Sequence, residues 1–64
     1  MKVYVLDHSH YKTQDGNVIE THSRPTEPAP DGRFDSPKYG WHDVLCRWLP
    51  LEKLNEPCVA EIGD

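Results

Sequence analysis

Three of the four histidines fall within one stretch, Asp7 to His22 (DHSHYKTQDGNVIETH), and they are the side chains best suited to hold a metal or move a proton. His8 and His10 are two apart, so on a strand they share a face. A third imidazole from a neighbouring strand, His22, would complete three nitrogen ligands for zinc, with a fourth position open to an activated water. Without a metal, clustered imidazoles would protonate near pH 6 and repel one another, making the segment pH-sensitive.

Whether they meet depends on the turn at Asp15-Gly16, a strong hairpin signal. A two-residue loop places Ser9 opposite His22, with His8 and His10 on the other face. A three-residue loop, Gln14-Asp15-Gly16 with Gly16 in the left-handed position, places His8 opposite His22 and His10 opposite Glu20. A slip of one residue therefore decides the chemistry. The elements on either side are expected to be strands: Lys2–Asp7 (KVYVLD), apolar on both faces as for a strand covered on both sides, and Asn17–His22 (NVIETH).

Further along, residues 24–40 (RPTEPAPDGRFDSPKYG) hold four of the six prolines and read as an irregular loop within a single domain spanning 1–64. The stretch Trp41–Leu49 fits two patterns. Trp41, Val44, Leu45, Trp48 and Leu49 form a helical stripe, yet the run is also a buried strand stopped by Pro50. No good start residue precedes a helix there, since Gly40 occupies that position, which favours a strand at 43–49. PLEKLNEP then predicts one helical turn near 51–55 and CVAEI a last strand at 58–62. The expected fold is mainly β: a small antiparallel sheet curling toward a barrel of SH3-like size with one short helical turn. The alternative is α+β, with a helix at 41–49 packed on the hairpin and the last strand.

Other reactive groups are sparse. His42 and Cys46 have neither an orienting third group nor an oxyanion hole at a useful spacing, so Cys46, like Cys58, reads as a small core residue. Trp48 is expected inside and Trp41 partly outside. The four glycines are isolated, so no phosphate-cradling loop exists. MKVYVL is too short for a signal-peptide core or a membrane span, which sets a cytoplasmic expectation with reduced thiols.

Sixty-four residues bury only about 60% of the surface that the unfolded chain exposes, so a partner or a second copy would add needed stability. The net charge is −4 and is concentrated at the end, where Lys53 stands against Glu52, Glu56, Glu61 and Asp64. That balance disfavours binding to a phosphate backbone and suits a basic protein surface. The leading expectation is a non-enzymatic protein–protein interaction module, regulatory or inhibitory, of the kind that phages and mobile elements encode as accessory proteins. It would act through the central loop and the acidic C-terminal edge, with Arg33, Phe34, Lys38, Tyr39, Trp41, Glu56 and Glu61 as contacts and no cofactor. One alternative is a zinc-binding hairpin ligated by His8, His10 and His22. Another is single-stranded nucleic-acid binding by stacking on Tyr11, Phe34, Tyr39 and Trp41.

Overall fold

Asp7 sets the first turn of the chain. In the computed structural model, which describes residues 1–62, the Asp7 carboxylate accepts hydrogen bonds from the backbone N–H groups of Ser9 and His10, each at 2.9 Å. A short side chain satisfying local donors in this way reverses the chain without any glycine or proline. The expected strand Lys2–Asp7 is therefore cut short. β1 (Lys2–Val5) folds back onto β2 (His10–Lys12), a strand that the sequence pattern did not reveal.

β2 then pairs with β3 (Val18–Glu20) through the anticipated hairpin. The loop is the three-residue form: the Thr13 N–H donates to the Asn17 carbonyl at 2.9 Å, and Gly16 has a φ of 88°. Glycine is needed there because a side chain would strain that backbone. His10 accordingly lies opposite Glu20.

The second correction falls at residues 41–49, which are neither one strand at 43–49 nor a helix. They belong to a hairpin of β4 (Tyr39–His42) and β5 (Arg47–Pro50), with Trp41 directly opposite Trp48. The turn between them, residues 43–46, contains Cys46 at a φ of 54°, and the Cys46 N–H donates to the His42 carbonyl at 2.7 Å. After β5, bonds from Lys53 N–H to the Pro50 carbonyl (2.8 Å) and Leu54 N–H to the Leu51 carbonyl (3.4 Å) form the expected short turn at 51–55 without making a helix. β6 (Cys58–Glu61) returns antiparallel to β1.

The molecule is mainly β, with small antiparallel sheets. They form a four-stranded sheet in the order β3-β2-β1-β6 and a separate two-stranded sheet β4-β5, rather than one sheet curling into a barrel. One face of the larger sheet is covered. Val3 and Val5 are buried there with Val44 from the β4–β5 turn, and Tyr11, Leu45, Ala60 and Ile62 pack around them. The smaller sheet is fastened through His8, whose carbonyl accepts from the N–H groups of Asp43 (2.8 Å) and Val44 (3.2 Å).

The segment 24–40 has no strand or helix until Tyr39. It is tied to the smaller sheet where the Trp48 Nε1–H donates to the Glu27 carbonyl at 2.6 Å, and within it Ala29 is buried. Both tryptophans are half-buried, so Trp48 is not the central packing residue, and both cysteines are exposed free thiols. Among the described residues no helix is long and apolar enough to cross a membrane.

Candidate interaction surface

Residues directly opposite one another in a sheet share a face. The registers of the larger sheet therefore put Lys2, Tyr4, His10, Lys12, Val18, Glu20, Val59 and Glu61 on the face away from the core. Nothing among the described residues covers its apolar members: Val59 is 68% exposed, Val18 59% and Tyr4 45%. Tyr4 and Val59 are neighbours in register, and with Lys2 and Lys12 they line a shallow depression of about 220 Å³. β1 was expected to be covered on both sides; it is covered on one. Alternating apolar residues show that a strand has two usable faces, but not which of them this chain fills.

β6 is one edge of this sheet. It pairs with β1 alone, so one row of its backbone N–H and C=O groups faces outward. The exposed carboxylates Glu56 and Glu61 bracket it, while Asp64 of the acidic end lies outside the described residues. Of the expected contact residues, Arg33, Phe34, Lys38, Glu56 and Glu61 are exposed, and Phe34 is 60% so. Tyr39 and Trp41 are half-buried. Trp41 is also engaged internally: its Nε1–H donates to Ser23 Oγ at 2.8 Å, and its ring meets Trp48 edge-on at 5.8 Å between centroids. Tyr11 packs against the core, which leaves it poorly placed to stack on a base.

The histidines occupy three different settings. His8 Nδ1 lies 2.6 Å from Asn55 Oδ1, and its backbone N–H donates to the same oxygen. His10 Nδ1 sits 2.9 Å from Asp7 Oδ1, with Nε2 3.7 Å from Glu20, and His22 Nε2 is 3.0 Å from the other oxygen of Glu20. The three-residue loop thus brings His10 and His22 to one carboxylate, while the Asp7 turn diverts His8 toward residue 55. Among the described residues no three His, Cys, Asp or Glu side chains converge as a metal would need. The Ser9 amide, then the His10 ring, and least of all the His10 amide, hold the Asp7 carboxyl at about 2. Asp7 in turn raises His10 above its ordinary 6.5.

The fourth histidine carried the weakest expectation and has the most distinctive environment. His42 is 1% exposed, and its Nδ1 accepts the Leu45 N–H at 3.0 Å. Burial, followed by the nearby charges of His8 and Arg47, lowers its pKa. The sequence signalled this only by placing His42 one residue from Trp41 in an apolar run. No protein-family model, curated protein or solved structure matches the chain, so its function rests on its own residues.

Proposed function

We propose that this chain is a small non-enzymatic module that binds another protein through the open face and β6 edge of its larger sheet, with Phe34 on the central loop as a further contact. One observation carries the reading. Among the described residues only Val3, Val5, Ala29 and Val44 are buried hydrophobics, whereas Met1, Tyr4, Val18, Ile19, Phe34, Leu51 and Val59 stand exposed. Singly exposed apolar residues are ordinary, but Tyr4 and Val59 adjoin on one sheet face beside an unpaired edge, as at a surface that a partner covers. Glu56 and Glu61 beside that edge favour a partner segment bearing Lys or Arg, extended so that its backbone pairs with β6. Regulation or inhibition of that partner is the consequence such a cap would have.

The test is purification of the chain from its native cells, with quantitative mass spectrometry of what accompanies it, compared with Val59→Lys and Phe34→Ala. A stoichiometric companion that Val59→Lys loses supports the reading. A chain that elutes alone, with both variants behaving as wild type, contradicts it.

A further inference from the structure

The geometry points to a second site, adjoining that surface at Glu56 and the start of β6: a pocket between the two sheets that takes a small carboxylate with a short apolar stem. His42 and Arg47 are directly opposite in the β4–β5 pairing, so imidazole and guanidinium share a face. With Leu45, Leu49, Lys53, Glu56, Pro57 and Cys58 they enclose about 190 Å³. Sites for drug-sized ligands run from about 300 Å³ upward, so this one suits a fragment of only a few carbons.

His42 supplies the directional contact. Its Nδ1 is committed to the Leu45 N–H, so the neutral ring carries its proton on Nε2. Among the described residues Nε2 has no partner, yet no buried side-chain nitrogen lacks one, so Nε2 keeps part of the small exposure of His42, and His42 lines the pocket. A nearly buried donor without a protein partner in the wall of a pocket calls for an acceptor. Arg47 and Lys53 make that acceptor an anion, because neither forms an ion pair among the described residues. Arg47 also offers the planar fork that matches a carboxylate. The same two cations disfavour a metal ion. Leu45, Leu49 and Pro57 give the apolar wall on which a stem would rest. Glu56 is the opposing charge in the lining, and the carboxylates of Asp43 and Asp7 also act on His42; together they weaken the attraction that Arg47 and Lys53 supply.

The ligand's carboxylate has two sources, a free short-chain acid or the C-terminus of a peptide. NMR titration of the intact chain with isovalerate and with its neutral isostere isovaleramide tests the site without relying on any variant. The expected result is saturable shifts at the Leu45 amide and the His42 ring with isovalerate alone. Arg47→Gln, an exposed position, should weaken binding about tenfold, and Glu56→Gln should strengthen it. N-acetyl-glycyl-leucine serves as the second arm. Tighter binding than isovalerate at the same signals assigns the site to a chain terminus, and exclusion of the dipeptide assigns it to the free acid. Equal responses to acid and amide, shifts that do not saturate, or shifts indifferent to Arg47→Gln would overturn the proposal.

Discussion

The histidines show how position sets the behaviour of a single residue type. His10 is held between the carboxylates of Asp7 and Glu20 and is raised above 6.5, whereas His42 is buried beside Arg47 and lowered below it. Their effects on stability oppose each other. The His10–Asp7 attraction stabilises below about pH 6.5 and is lost as pH rises through the raised value of His10. Neutral His42 stabilises above about pH 6.5, and that contribution is lost as pH falls through its lowered value. Asp7, held at about 2 against an ordinary 3.8, adds stability above pH 3.8 that disappears only as pH falls toward 2. Ring-signal titration by NMR should therefore place the His42 midpoint below that of His10. Asp7→Asn should bring His10 down toward 6.5 and, because Asp7 is the smallest of the influences on His42, lower His42 only slightly further.

At the scale of elements, the turns decided what was legible. The Asp15-Gly16 turn was readable because glycine is the residue its backbone requires. The other two hairpin turns contain neither glycine nor proline. One is built by the Asp7 carboxylate gathering local N–H groups, and the other accepts Cys46 at a positive φ. Such turns leave no mark in composition, so β2 and the division of 39–50 into two strands were hidden. The same blind spot moved the site: without the Asp7 turn, His8 would join His22, and the open face bearing Tyr4 and Val59 would have no reason to be singled out. Cys46 also gives a prediction. An L-residue in the left-handed region costs about 1–2 kcal/mol, only part of which glycine's greater freedom when unfolded offsets. Cys46→Gly should raise stability by up to about 1 kcal/mol in denaturant melts, despite losing the Cys46 Sγ contact to the Asp43 carbonyl.

For the whole molecule the governing feature is thinness. Its extents are 38 × 23 × 15 Å, and its radius of gyration of 12.0 Å exceeds the roughly 11 Å of a compact chain of this length. A slab of that depth has room for one packed layer, and the chain fills it on one side of the larger sheet only. Stability and binding should therefore separate cleanly by face. Val5→Ala, at a fully buried position, should cost about 2–3 kcal/mol, a large share of the total in a domain this small. Val59→Ala, at an exposed position of β6 on the face away from the core, should change thermal stability by less than about 0.5 kcal/mol and lose partner binding.

Side-chain footprinting of Tyr4, Phe34 and Val59 gives the most direct view, with labelling compared between the isolated chain and the chain in its native cells. If another protein covers the open sheet, Tyr4 and Val59 will label several-fold less in the cell, while the exposed Leu51, in the turn after β5 and outside the larger sheet, labels alike in both. Equal labelling of Tyr4 and Val59 in the two settings would mean that the face stays bare, and the binding role assigned to it would fall.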